Sequence, residues 1–426
     1  MVNSNVKDGA DAFEIDASCR PCKDSREQDE RDELSECHTN IYWRLAFLNL
    51  VVLWSYQSLI SAQNYYIKFF PSSHLDFWGT VCAGSSMFVF QVIQLYFGLY
   101  KYGLHKRIVC GYIGYVVVSI LVISVKNPLV LILSFAAVGG MNTMTESPIY
   151  GIAGLFSTGS FSQAVQLGNG LAGLLNVTCN TIIRLVIFLV KSSIDEDQLS
   201  FYIFMSICMF FSLLALYVYY GLIRLPPIDR RLTEQRNCVS ENQPSTGDPM
   251  AAVGENQLSF WQLTKICKVH LFVQFYVLFI SLLVWPGFVC QSSLRGWFAN
   301  EGHRWWCSPM IIGTFNGGDL IGRTIALRLH RYFNWKITLI SSLLRTFFLL
   351  LIFFRHHLNN IIILLLLTGM GTTNGLLTTV TFMVRLQAIR GLHNCERAAY
   401  LMTTSLYAGI ATGSILAAIL SMTNAL

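Results

Sequence analysis

Asn316, Asp319 and Arg323 stand at i, i+3 and i+7 in a stretch otherwise made of glycine and apolar residues, Phe315-Asn-Gly-Gly-Asp-Leu-Ile-Gly-Arg323. On a helix this spacing sets an amide, a carboxylate and a guanidinium on one face. Asp319 and Arg323 can pair within the helix, which makes each tolerable in a low dielectric. Such a face can lock two helices together, or it can hydrogen-bond a polar ligand in a cavity. Asn316 extends the polar stripe beyond the ion pair and favours the second use. Gly313, Gly317, Gly318 and Gly322 in the same stretch let another backbone come close.

Two further segments carry polar groups among apolar ones. Gln163, Gln166, Asn169, Asn176, Asn180 and Arg184 form one row, the last three at i, i+4 and i+8. A lipid-facing helix could not hold that row, so it faces water or another polar helix. Glu146, beside Asn142, Thr143 and Thr145, has no opposite charge at i±3 or i±4. Its partner therefore lies on another helix, with Arg184 and Arg345 as candidates, or it is protonated. Arg345 is equally alone and could meet Glu146 or Asp319. Trp285-Pro286-Gly287 breaks a helix, either as a gate or as a plain helix end. No His/Glu metal set and no Ser/His/Asp set occurs in these apolar segments, so neither an enzyme nor a metal or cofactor site is expected.

The elements that must position these groups follow from composition. The 426 residues are 53% hydrophobic and only 13% charged, with a mean hydropathy of +0.49. A soluble domain carries about 25% charged residues, so this chain cannot coat a water-facing surface. Soluble folds and nucleic-acid-binding modules are excluded. Apolar blocks of membrane-crossing length fall at roughly 41–67, 77–100, 107–125, 128–156, 161–191, 201–223, 265–290, 306–328, 335–355, 360–386 and 397–421. The chain reads as an all-α polytopic membrane protein with 11 transmembrane helices, arranged 6 + 5.

Charge sets the orientation. Loops on one side hold 15 Lys and Arg, among them Arg224, Arg230, Arg231 and Arg236, against 6 on the other. The positive-inside rule then places the N-terminus in the cytosol and the C-terminus outside. Residues 1–40 carry 5 Lys/Arg and 11 Asp/Glu and read as an acidic disordered cytosolic tail. Residues 41–223 form a six-helix bundle, 224–259 a cytosolic linker loop rich in Pro and polar residues, and 260–426 a five-helix bundle. Two bundles about a central loop make the fold major-facilitator-like. Cys19, Cys22, Cys37 and His38 in the tail lack a regular second pair and read as tail rather than as a zinc site. Cys290 and Cys307 bracket an outer loop where the compartment permits a disulfide. The sequon at Asn176 lies inside an apolar span, so glycosylation is not expected there.

At this point the residues resemble the equilibrative nucleoside transporter family. Phe315-Asn316-Gly-Gly-Asp319-Leu-Ile-Gly322-Arg323 matches that family's F-N-x-x-D-x-x-G-R motif. Trp285-Pro286-Gly287 is similar to its F-P-G, and Gly151-Ile-Ala-Gly154-Leu and Gly168-Asn-Gly170-Leu-Ala-Gly173 to its G-L-A-G-L and G-Q-G-L-A-G. Thr373-Asn374-Gly375 resembles its S-N-G, Arg345 its helix-nine arginine, and Trp54 its pore tryptophan. The likeness covers residues 41–421.

The resemblance implies facilitated diffusion of nucleosides, or of nucleobases, by alternating access. Burial of Glu146 would allow a coupled proton, whereas a nearby arginine would keep it a static acceptor; the plasma membrane is the expected location, with an endomembrane as the alternative. The resemblance implies that Asp319 and Arg323 hydrogen-bond ribose hydroxyls with Asn316 near them, that Trp54 stacks on or walls off the base, and that Glu146 takes the place of a base-reading glutamine. Trp285, Pro286, Arg345 and Asn374 would gate or support the site. Leu53 and Ser55 flank Trp54 where the family has Pro and Asn, and Leu350 stands where it has Pro. These departures suggest a divergent member, a protozoan one among the candidates. Two other readings stay open on the residues alone: a major-facilitator carrier of another small polar solute such as a sugar or amino acid, and a non-transporting receptor or scaffold.

Overall fold

The structure, a computed structural model, describes residues 20–70, 75–97, 103–156, 159–190, 195–241, 258–284, 306–354, 357–387, 389 and 392–422. Within them the chain is helical, and no strand occurs. The helices are α1 Arg20–Ser61, α2 Gln63–Phe69, α3 Leu75–Tyr96, α4 Leu104–Ser124, α5 Pro128–Gly154, α6 Gly159–Val190, α7 Glu196–Ile223, α8 Pro226–Glu241 and α9 Phe260–Val284. They continue with α10 Cys307–Leu329, α11 Trp335–Leu344, α12 Leu350–Phe354, α13 Asn360–Gln387 and α14 Leu392–Met422.

Local chemistry starts several of them. Asn127 accepts from Leu129 N at 2.8 Å, with Pro128 as the first helical residue, where a missing N–H costs nothing. Asp195 accepts from the backbones of Asp197 and Gln198 and so caps α7. Asn334 does the same for α11 through Ile337 N. Among the described residues, eight helices are long and apolar enough to cross a membrane. The three other expected spans are polar or broken. α1 carries Asn49, Ser55, Gln57 and Ser58, α10 carries Asn316, Asp319 and Arg323, and α11 gives way at Arg345 to a 3-10 turn, Arg345–Leu349.

Two expectations about polar segments change. Residues 20–40, read as disordered tail, are the first half of α1, continuous with the span that follows. Leu34 and Cys37 pack against the core, Glu33 pairs with Arg230 at 3.1 Å, and His38 bonds Ser160 at 3.0 Å. The first part of the 224–259 linker is α8, anchored by the buried Ile228. Charge composition hid this because Glu33 and His38 find their partners on distant elements.

The first bundle, α1 and α3–α7, packs α1 on α6 and α3 and α4 on α5. The second packs α10 on α13 and α9 on α14. The α10–α13 crossing is close enough that a Cβ on Gly318 would meet Thr368 O, and one on Gly371 would meet Phe315 O, so only glycine fits at these two positions. The bundles meet chiefly where α6 lies on α10 and where α14 lies on α3 and α5.

Candidate functional site

Between the bundles lies a cavity of about 130 Å³, counted as room for the centres of water molecules, walled by eight helices. α10 contributes Phe315, Asn316, Asp319 and Arg323, and α13 adds Asn374 and Thr378. α5 adds Asn142 and Glu146, α6 adds Gln166 and Asn169, and α14 adds Leu406, Tyr407 and Ile410. α1 turns Leu53, Tyr56, Gln57 and Ile60 inward, a stripe at i, i+3, i+4 and i+7.

Asp319 and Arg323 are paired as their spacing predicts, Arg323 Nε donating to Asp319 Oδ2 at 2.6 Å with both side chains buried. Neither is satisfied by the other alone. Asn374 Nδ2 donates to Asp319 Oδ1 at 2.7 Å, and Ser281 Oγ donates to Asn374 Oδ1 at 2.8 Å. Arg345 donates to Ser281 Oγ at 2.6 Å, to Met370 O at 2.9 Å, and to Thr373 Oγ1. A hydrogen-bonded chain therefore runs from Arg345, outside the cavity lining, through Ser281 and Asn374 in the wall to Asp319, holding the carboxylate in place. On the other side Arg323 Nη1 donates to Gln166 O at 3.1 Å and to Gln166 Oε1, and Gln163 Nε2 donates to Arg323 O at 3.1 Å. The guanidinium thus joins the two bundles at the cavity.

Glu146 forms a second polar centre. Asn169 Nδ2 donates to its Oε1 at 2.9 Å, and Tyr407 Oη donates to its Oε2 from the opposite bundle. Asn49 Nδ2 supports the group by donating to Asn169 Oδ1 at 2.7 Å. Each carboxylate oxygen thus accepts a hydrogen bond from a neutral side chain, one from each bundle.

Several expectations are corrected here. Glu146 meets neither Arg345, which lies behind Asp319, nor Arg184, which pairs with Asp197 at 2.7 Å near the α6–α7 connection. Neutral donors take the place of the expected arginine. Trp54 does not line the cavity. Its indole stacks on Phe204 of α7, with centroids 5.9 Å apart, and meets Phe211 edge-on at 5.1 Å. Position 54 lies roughly 100° round α1 from the inward stripe, so the helical period turns it toward α7. Trp285, Pro286 and Cys290 lie outside the described residues; Cys307 is disulfide-bonded. Asn176 is buried and donates to Ser58 Oγ at 3.3 Å.

Sequence reasoning missed Gln57 and Tyr407. Gln57 carried a signal, an amide in an apolar span. Tyr407 carried none, because Tyr112, Tyr150 and Tyr219 are equally buried in spans and do not line the cavity.

A sequence profile described as "Nucleoside transporter" matches residues 132–422. The chain belongs to the nucleoside transporter family. This transporter is 23% identical over 324 residues to an Arabidopsis thaliana protein named equilibrative nucleotide transporter 4, covering 70% of this chain and 75% of that one. Its fold resembles the proton:xylose symporter XylE, bound to 6-bromo-6-deoxy-D-glucose, with a TM-score of 0.62, 11% identity, and 90% of this chain and 89% of that one covered. It also resembles the Escherichia coli fucose:proton symporter FucP, with a TM-score of 0.52, 13% identity, and 89% and 92% covered. At such identities the likeness speaks to the fold, a major-facilitator arrangement of helices.

Proposed function

We propose that this transporter carries nucleosides across the plasma membrane by alternating access of the cavity between its two bundles. One observation carries the reading. The family motif on α10 sits in the wall of an interbundle cavity, with Asp319 clamped from one bundle and Arg323 reaching into the other. A nucleoside is uncharged, with a hydroxyl-rich sugar and a flat base, so its site needs one polar cluster and a largely apolar wall. Asp319, Arg323 and Asn316 supply the cluster for the sugar, and Leu53, Tyr56, Ile60 and Phe315 supply apolar surface for the base. Glu146 faces the base as an acceptor for its N–H groups. Trp54 supports α1 from behind, and Arg345 and Asn374 hold Asp319.

The reading includes 11 spans, a cytosolic N-terminus and an external C-terminus. The bundles at 41–223 and 260–426 rock about the site. Glu146 already accepts two neutral donors, which supports an equilibrative carrier in which it stays a fixed acceptor. Competition for binding tests the substrate class. Adenosine, uridine, free bases, sugars and amino acids are each added to purified transporter in detergent and the melting temperature is followed. Stabilisation by nucleosides at concentrations where xylose, fucose and amino acids have no effect supports the reading. Stabilisation by a sugar or amino acid alone overturns it.

A further inference from the structure

Gln166 is buried to 1% exposure and lines the cavity, yet its Nε2 has no hydrogen-bond partner. The orientation of the amide is decided by chemistry. Arg323 is a donor only, so the atom it meets must be Oε1, and Nε2 must turn away from the guanidinium. A buried N–H without an acceptor costs free energy unless a ligand supplies one. Gln166 also sits where α6 crosses α10. Gly170, one turn on, is so close to Arg323 that a Cβ there would meet its Cδ at 2.9 Å, and a Cβ on Gly173 would meet the Asn316 amide at 2.7 Å. The close crossing holds the glutamine beside the arginine of the motif, on the opposite bundle.

We propose that Gln166 is a specificity-determining residue. Its Nε2 donates to a hydroxyl oxygen on the sugar of the substrate, next to the Asp319–Arg323 pair. This rests on the reading of the cavity as a nucleoside site and names which side chain of the first bundle reads the sugar. A donor at this place selects an uncharged oxygen acceptor. The ionisable side chains of Asp, Glu, Lys and Arg type in the wall are Glu146, Asp319 and Arg323, and the arginine is already committed to Asp319 and Gln166, so no spare cation offsets a phosphate. Asn316 Nδ2 is a second buried donor without a partner, about two turns along α10 from Arg323. It is placed to meet an acceptor further along the same ligand.

The test compares wild-type protein with Gln166→Glu and Gln166→Met in uptake of adenosine and its 2′-, 3′- and 5′-deoxy analogues, at matched surface expression. Glutamate keeps the length and an acceptor for Arg323 but cannot donate, so it separates the donor role from support of the arginine. Methionine removes both. Wild type is expected to show a KM about tenfold higher for one deoxy analogue than for adenosine, the size of one lost hydrogen bond to a buried donor. In both variants that ratio falls to near one, because the KM for adenosine rises while that for the matching analogue stays put. Retention of the wild-type ratio in both variants, with or without a uniform change in KM, overturns the role of Gln166 and leaves the nucleoside reading intact. A wild-type protein that takes up no nucleoside overturns both.

Discussion

Replacing Asp319 by asparagine keeps the shape of the side chain and removes only its charge. In the structure Oδ2 receives Arg323 Nε at 2.6 Å, and Oδ1 receives Asn374 Nδ2 at 2.7 Å with a longer bond from Arg323 Nη2 at 3.4 Å. An asparagine has one acceptor oxygen and one NH2 group, so one of its ends must face a donor. If the oxygen stays with Arg323, the NH2 faces Asn374. That amide can turn over, because Ser281 can fall back on Val277 O at 2.8 Å. The hydrogen bond is therefore recoverable, and the charge is not. Arg323 is left buried at 7% exposure without its counter-ion, and breaking a buried pair in this way costs about 3–5 kcal/mol. If the loss falls on the substrate-bound state, affinity drops by about 10²- to 4 × 10³-fold. Asn374→Leu keeps the ion pair and removes one bond to a carboxylate, about 1.5–3 kcal/mol, so its loss is about 10- to 100-fold. The assay is initial-rate nucleoside uptake in transporter-null cells, normalised to surface-biotinylated protein, with melting temperature as a check on folding. The order expected is Asp319→Asn worse than Asn374→Leu. Uptake by Asp319→Asn within twofold of wild type would refute the reasoning, as would Asn374→Leu being the worse of the two.

Three further outcomes are expected. Trp54→Ala should lower thermal stability by roughly 3–5 kcal/mol, the cost of an emptied aromatic site against Phe204 and Phe211, while Trp54→Phe restores most of it with an unchanged KM; a base-dependent KM change at normal stability would show that the indole meets substrate. Glu146→Gln should retain nucleoside exchange, and wild-type uptake should ignore an imposed proton gradient at fixed voltage; acceleration by an inward proton gradient that vanishes in the variant would instead make Glu146 a proton carrier. Lys68 beside Asp195 holds that carboxyl below its ordinary range, so the contribution of the pair is present above the unfolded carboxylate pKa and is lost only as pH falls through the lower folded one. Melting temperature should accordingly show no Lys68-dependent step between pH 7 and about 5, and one that Lys68→Met abolishes in that window would contradict the assignment.

Much of the site was legible because membrane interiors make polar residues conspicuous. Asn316, Asp319, Arg323, Glu146 and Gln166 each stood out in an apolar span, and all five line one cavity. Partners were harder to read. Arg345 and Glu146 looked like a pair of lone charges, but Arg345 instead meets two hydroxyls and the Met370 carbonyl, Glu146 meets an amide and a phenol, and Ser281, Thr373 and Tyr407 carry no charge pattern to announce themselves. The placement of Trp54 against α7 was illegible for a different reason. Its identity matches a family position, whereas its direction depends on helical phase, and the inward stripe at 53, 56, 57 and 60 excludes it. The helical start of the acidic tail was hidden because its anchors, Arg230 and Ser160, lie far away in sequence.

Counterflow in proteoliposomes tests the central claim most directly. Purified transporter is reconstituted with a high internal concentration of unlabelled adenosine, and entry of trace labelled adenosine or uridine is followed with no ion gradient. The account predicts a transient overshoot of label above equilibrium, abolished by Asp319→Asn and absent from protein-free vesicles. Monotonic entry without overshoot, or an overshoot that internal xylose or an amino acid elicits and internal nucleosides do not, would contradict it.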